Sequence, residues 1–170
     1  MSSSTTELPQ RTAAVITVSD SCSRGERKDL SGPAVAEILR KLQFRVVAEE
    51  VVPDDQLQIQ ELLIRLTREA QFVVTTGGTG IAPRDVTPEA MLAVCERLVP
   101  GVAEQMRIAG TRRTPLAALS RAVCGVRGTT LILNLPGNPS GAVESLEAVA
   151  HLIPHALDLL SGKTEHNHRF

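Results

Sequence analysis

Residues 72–89 constrain the fold of this chain more than any other stretch. An apolar run, Phe72-Val73-Val74, passes through Thr75 and Thr76 into Gly77-Gly78-Thr79-Gly80, then through Pro83-Arg84-Asp85-Val86 into Thr87-Pro88-Glu89. The run predicts a buried strand. The last three residues predict a helix start, with Thr87 as N-cap and Pro88 at the first helical position. Between them, Gly77, Gly78 and Gly80 permit backbone conformations closed to other residues and a close approach to a ligand. Backbone N–H groups in such a turn form an anion-binding concavity, and the hydroxyls of Thr75, Thr76 and Thr79 add donors. Asp85 follows where a bound phosphate would need a divalent cation. The loop is not a Walker A motif, because no Lys-Ser/Thr pair follows the glycines. It is not the dinucleotide fingerprint, because Pro83 stands where the last glycine belongs. Two readings stand side by side: a phosphate-and-metal site, or a plain strand-to-helix turn in which Asp85 caps backbone amides.

Other segments repeat the theme of an apolar run followed by a small polar loop. Ala13–Val18 is continuous and apolar, as in strands of parallel sheets covered on both faces. It ends in Ser19-Asp20-Ser21, at the kind of strand end where open α/β sheets bind ligands, although these residues can equally hold a turn. Cys22–Asp29 is expected to be a mobile surface loop with Arg24, Arg27 and Lys28 solvated, the alternative being that they meet an anionic ligand. Ser31-Gly32-Pro33 opens a helix whose apolar stripe is Val35, Ile38, Leu39 and Leu42. Arg45–Val52 reads as a strand whose polar interior, Ala48-Glu49-Glu50, suits a sheet edge. Asp55 with Gln58 resembles a capping box for the helix marked by Ile59, Leu62, Leu63 and Leu66. With capping given to Asp55, Asp54 is left either to a site role or to the turn itself, and the residues alone favour the turn.

After the glycine loop, Met91, Val94, Cys95 and Leu98 form the buried stripe of the next helix. Pro100-Gly101 interrupts it, residues 102–109 form another helical piece, 110–115 break that, and 116–120 form a short helix or turn. Strands are expected at 122–126 and 130–134, joined as a hairpin at Arg127-Gly128, which makes the sheet mixed. Leu135–Gly141 is a second turn-rich loop at a strand end. A long helix follows from Ala142, restarted by Pro154 and ended by Gly162. Residues 12–162 are read as a single domain between flexible ends, 1–11 and 163–170.

Composition excludes several functions. A net charge of −1 and only three aromatic residues, all Phe, argue against a broad nucleic-acid or membrane footprint and against base stacking. Cys22, Cys95 and Cys124 are scattered with no CxxC pair, as expected of reduced thiols in a cytoplasmic protein. His151 and His155, four apart on the last helix, lack the glutamate and third ligand of a zinc site. No leader or membrane span is evident.

The order of elements predicts a three-layer α/β/α sandwich around a mostly parallel, mixed central sheet. The loops at 19–21, 75–85 and 135–141 then gather on one edge and share a pocket. Together these loops resemble the molybdenum-cofactor biosynthesis domain family, in its molybdopterin adenylyltransferase branch (Mog type, gephyrin G-domain-like). The matching pieces are Thr17–Ser21, Val52-Pro53-Asp54, Thr75–Glu89, Thr114-Pro115-Leu116, Leu119-Ser120-Arg121 with Cys124-Gly125, and Asn134–Pro139, spread over residues 12–161.

That resemblance implies transfer of AMP from Mg-ATP onto the phosphate of molybdopterin, with release of pyrophosphate. It implies catalytic roles for Asp54 and Asp85, with Mg²⁺ held by Asp85 and Asp54. It gives phosphate binding to Thr76, Gly77, Gly78, Thr79 and Gly80. Ser19, Asp20, Ser21, Pro136, Gly137, Asn138, Pro139 and Ser140 would line the nucleotide and pterin pocket. It also implies a homotrimer and hand-over to a molybdate-insertion enzyme. Rival readings are the MoaB-type branch, which tends to depart from Pro-Arg-Asp-Val-Thr-Pro, and a non-catalytic molybdopterin carrier or scaffold.

Overall fold

The structure is a computed structural model and describes residues 10–163. Its centre is a six-stranded sheet in the order β2-β1-β3-β6-β5-β4. Here β1 is Thr12–Val18, β2 Arg45–Val52, β3 Phe72–Thr76, β4 Arg97–Leu98, β5 Cys124–Arg127 and β6 Thr130–Leu135, and the short helix α1 is Asp20–Ser23, so that Cys22 and Ser23 are helical where a loop was expected. The first four in that order run parallel, whereas β5 lies antiparallel to β6 and β4 to β5. The sheet is therefore mixed, as the hairpin predicts. β2 is an edge, as its polar interior predicts.

Alternation along the strands divides the core into two layers. Ala13 and Val15 of β1 face Val35 and Leu39 of α2 (Ser31–Lys41), Met106 of α5 (Pro100–Thr111), Leu146 of α6 (Pro139–Val149) and Leu157 of α7 (Ile153–Leu160). Ala14, Ile16 and Val18 face the other way, onto Ile59 and Leu63 of α3 (Gln56–Leu66) and Met91 and Val94 of α4 (Thr87–Val94). Two helical layers thus sandwich the sheet, and β1, β3 and β6 are buried on both faces. Burial of this kind, at about 25 cal/mol per Å² of apolar surface, supplies the main driving force for the fold.

Several boundaries differ from expectation. The α4 helix begins at Thr87 with Val86 in the N-cap position, and the Thr87 hydroxyl instead donates to the Gly77 carbonyl. It ends at Val94, so Leu98 leaves the helix and lies exposed in β4, the short antiparallel edge strand. The α5 helix starts at Pro100 itself, since proline's missing N–H costs nothing in a first turn. The β5–β6 hairpin turns at Gly128-Thr129, one residue later than expected, with Gly128 at φ 57°. His151 sits in a 3₁₀ turn ahead of α7 and His155 within it, so the two do not share one continuous α-helix. Arg11, expected in a loose end, bonds Asp158 at 2.9 Å. The remainder of both expected ends, with His166 and His168, lies outside the described residues.

Sequence connects β1 to β2 on one side and returns to β3 on the other, so the connections diverge between β1 and β3. The crevice beyond the carboxyl ends of such strands is where open α/β sheets place ligands.

Candidate active site

The three loops meet there. A cavity of about 450 Å³ is lined by Ser19 after β1, Asp54 after β2, Thr76, Gly77, Gly78 and Asp85 after β3, and Gly137, Asn138 and Pro139 after β6. Contacts between the loops fix their mutual positions. Gly77 donates its N–H to the Leu135 carbonyl at 3.0 Å. A Cβ placed on Gly137 would lie 3.2 Å from the Gly77 Cα, so the two loops pass in direct contact.

The glycine turn owes its shape to two residues. Gly77 and Gly78 take φ 93° and 66°, the left-handed region that glycine enters freely. Gly80 has ordinary φ, and its role is space: a Cβ there would stand 2.7 Å from Asp85 Oδ2. Because the Gly77 amide is occupied, the amides of Gly78, Thr79 and Gly80 are the ones without a partner among the described residues. The threonines serve the interior instead. Thr75 accepts from Asn134 Nδ2 at 2.9 Å, Thr76 shares a 2.8 Å hydroxyl bond with Ser31, and Thr79 is buried.

Asp54 is held by a reciprocal pair of bonds. The Asp20 N–H donates to Asp54 Oδ2 at 3.0 Å, and the Asp54 N–H donates to Asp20 Oδ1 at 2.9 Å. The neighbouring Asp55 takes the N-cap of α3, accepting from the Gln58 N–H at 2.9 Å. Burial, and then the negative charge of Asp85, push the Asp54 carboxyl above the usual carboxylate range. Asp85 is anchored through one oxygen, which accepts the Ala82 N–H at 2.9 Å. The capping role and the site position thus coexist in Asp85. A carboxylate whose ionisation is opposed by a neighbouring one favours a cation between the two.

The remaining expected residues divide. Asp20 ties Asp54 and pairs with Arg84 across the loop, and Ser21 shares a 3.2 Å hydroxyl bond with Ser19. Thr79 and Gly80 lie behind the cavity wall, where their carbonyls accept from Arg121. Pro136 and Ser140, with Asn138, line a second cavity of about 620 Å³ between α5 and α6. Of the three basic residues weighed between a solvated loop and an anionic ligand, Arg27 and Lys28 line the first cavity. The sequence reading missed Asp29, whose carboxylate accepts from the Thr17 hydroxyl at 2.7 Å and the Gly32 N–H at 3.0 Å. The signal for Asp29 was its position three residues before Gly32, the spacing of a side-chain cap.

A family model described as "Probable molybdopterin binding domain" matches residues 14–155. The chain belongs to that molybdopterin-binding-domain family. A molybdopterin adenylyltransferase of Helicobacter pylori (strain J99) is 44% identical over 155 residues, 87% of this chain and 86% of that protein. The molybdopterin adenylyltransferase of Escherichia coli K12 is 39% identical over 164 residues, 87% and 84% of the two chains. Among solved structures, the molybdopterin biosynthesis enzyme MoaB of Thermus thermophilus superposes with a TM-score of 0.84. It is 53% identical and covers 90% of this chain and 98% of its own. The likeness reaches both the adenylyltransferases and a MoaB-named structure, and this member of the molybdopterin-binding-domain family keeps Pro83-Arg84-Asp85-Val86-Thr87-Pro88.

The donor set suits magnesium. Mg²⁺ is bound through one or two carboxylates, with phosphate oxygens and water completing its shell. Asp54 and Asp85 supply such hard oxygens beside unpaired backbone amides. Among the described residues no group of three His, Cys, Asp or Glu side chains could hold a metal ion. No described helix is long and apolar enough to cross a membrane.

Proposed function

We propose that this protein is a molybdopterin adenylyltransferase, transferring AMP from Mg-ATP to the molybdopterin phosphate with release of pyrophosphate. The observation that carries this reading is the meeting of Asp54 and Asp85 with the glycine turn in one cavity. Two adjoining cavities that share Asn138 support a reaction with two substrates, the acid-lined one receiving the triphosphate.

In this reaction a phosphate oxygen of molybdopterin attacks the α-phosphorus of ATP. The new P–O bond forms as the bond to the bridging oxygen breaks, and pyrophosphate leaves with that electron pair. The nucleophile is already ionised, so no strong general base is needed, and positioning with charge stabilisation carries the catalysis. The Gly78 amide, which faces no partner and lines the cavity, donates to a phosphate oxygen. Arg27 and Lys28 line the same cavity and bring positive charge to the anion. Ser19, Gly137, Asn138 and Pro139 bound the space in which the nucleotide lies. Magnesium held by Asp54 and Asp85 would neutralise charge developing on the phosphates.

A cytoplasmic homotrimer that hands its product to a molybdate-insertion enzyme completes the proposal. Exposed Ile108, Leu116 and Leu119, on α5 and the 3₁₀ turn Pro115–Leu119, support a face that another copy covers. Light scattering after size exclusion gives a trimer mass on this reading.

Purified protein incubated with molybdopterin and Mg-ATP is expected to give adenylylated molybdopterin and pyrophosphate. Molybdopterin binding without AMP transfer, with fresh substrate and metal, would establish the carrier instead.

A further inference from the structure

We infer that Arg121 is the positioning residue for Asp85, bracing the glycine loop from behind the cavity; the inference rests on the adenylyltransferase reading above. Arg121 follows the 3₁₀ turn and touches no part of the acid-lined cavity. Its guanidinium spans the base of the loop that carries Asp85. Nε donates to the Gly80 carbonyl at 2.7 Å, and Nη2 donates to the Asp85 carbonyl at 2.7 Å. Nη1 pairs with Glu89 in the first turn of α4, and Nη2 reaches the second Glu89 oxygen at 3.5 Å. Its own N–H donates to the Thr79 carbonyl at 2.8 Å.

One side chain therefore fixes both ends of the Gly80–Asp85 segment and the start of the following helix. Without it, the segment has two bonds internal to the loop, Ala82 N–H to the Asp85 carboxylate and Asp85 N–H to the Ala82 carbonyl, each at 2.9 Å, and one outside tie, the pair of Arg84 with Asp20. The internal bonds hold the loop's shape, and the Arg84 side chain, 67% exposed, makes a solvent-screened pair too weak to fix its place relative to Asp54. Like charge on Asp54 pushes Asp85 outward, so the place must be enforced from elsewhere.

The fork geometry requires arginine. Three acceptors in three directions match the planar guanidinium, whereas a lysine ammonium on a flexible stem cannot hold them together. Arg121 is itself set in position by a second arginine. Arg107 of α5 donates through Nη1 to the Ser120 carbonyl at 3.3 Å and to the Ala122 carbonyl at 3.1 Å, the residues on either side of Arg121. Glu89 is ionised for this duty, since its hydrogen bond from Arg121 holds its carboxyl below the usual range.

The test compares wild type, Arg121→Lys, Arg121→Ala and Glu89→Gln by amide hydrogen exchange and by steady-state kinetics with Mg-ATP and molybdopterin. Exchange in residues 79–89 is expected to rise at least about tenfold in Arg121→Ala while β1, β3 and β6 stay protected. In the same variant kcat is expected to fall about 10²-fold, as when a transition-state contact is misplaced, with the KM for ATP little changed. Arg121→Lys falls between the two, and Glu89→Gln gives a smaller loss than Arg121→Ala. Unchanged exchange at 79–89, a wild-type kcat in a folded variant, or full activity in Arg121→Lys overturns the inference. A rise in KM alone also overturns it. If wild type transfers no AMP, the parent reading fails, and the exchange arm still decides whether Arg121 holds the loop.

Discussion

Replacing Gly77 by alanine tests how the turn is built. Gly77 lies at φ 93°, and an added Cβ would stand 2.4 Å from the Val18 carbonyl oxygen at the end of β1. A left-handed backbone costs a non-glycine residue about 1–2 kcal/mol. Forcing the end of β1 aside adds about 1–3 kcal/mol, the usual cost of overpacking. Alanine's stiffer unfolded chain returns about 0.4–1 kcal/mol. The net loss is about 1–5 kcal/mol, or a Tm lowered by about 2–20 °C at this chain length. Two controls separate the terms. Gly25 has φ 71° with no atom within 4 Å of its added Cβ, so its alanine variant carries the backbone term alone. Gly101 has ordinary φ and open space in the first turn of α5, so its variant is neutral or stabilised by up to about 1 kcal/mol. Thermal melts by circular dichroism are expected to rank Gly101→Ala above Gly25→Ala above Gly77→Ala. A Gly77→Ala variant that melts with Gly25→Ala would show that close packing against β1 does not hold the turn.

Asp85→Asn keeps an oxygen for the Ala82 N–H and removes the charge facing Asp54. It is expected to melt higher than wild type without ligand while losing about 10²–10³-fold in turnover; wild-type rates would reassign Asp85 to structure. The Asp54 carboxyl has its folded pKa above the unfolded value of about 3.9, so its contribution is present below that pH and lost as pH rises through the folded pKa. Urea titrations of ligand-free protein should therefore show wild type losing stability relative to Asp54→Asn as pH rises through that window, and a flat difference refutes the pairing. Burial pushes the Cys95 thiol up to about 11 and the Cys124 thiol up to about 12. Iodoacetamide at pH 8 is expected to label Cys22 alone in native protein, more slowly with Mg-ATP since Cys22 lines the cavity; equal labelling of all three refutes the burial argument.

Much of this architecture was legible because burial writes itself into sequence. Strands covered on both faces, such as Val73-Val74 and Leu131-Ile132-Leu133, must be continuous and apolar, and the polar interior of β2 marks an edge. What escaped notice depended on partners remote in sequence. Thr87 looked like an N-cap because its type and the following Pro88 fit one, yet the Gly77 carbonyl ten residues earlier captures its hydroxyl. The threonines of the turn looked like ligand donors, but Ser31 and Asn134, on neighbouring elements, take two of them. Arg27 and Lys28 looked solvated because a charged run near glycine has no local pattern; only the packing of the segment before α2 brings them to the cavity. Leu98 fitted a helical period by spacing, while β5 recruited it as an edge partner.

The same long-range bonds explain how two acids remain together without a ligand. Free loops carrying Asp54 and Asp85 would separate to relieve their repulsion. Here the Asp20–Asp54 pair ties the end of β1 to the end of β2, and the Gly77–Leu135 bond ties β3 to β6. Arg121 ties the outer limb of the glycine loop to α4. Each tie joins segments whose other ends are rooted in a dry, two-faced core, so the repulsion cannot be relieved without disturbing strand register. The charge stays concentrated and incompletely solvated, which is the condition under which an arriving cation and its polyphosphate gain most. On this argument, catalytic readiness in the proposed reaction resides less in the two aspartates than in the ties that prevent their escape. Loosening a tie should then lower magnesium-dependent turnover even where both carboxylates are intact.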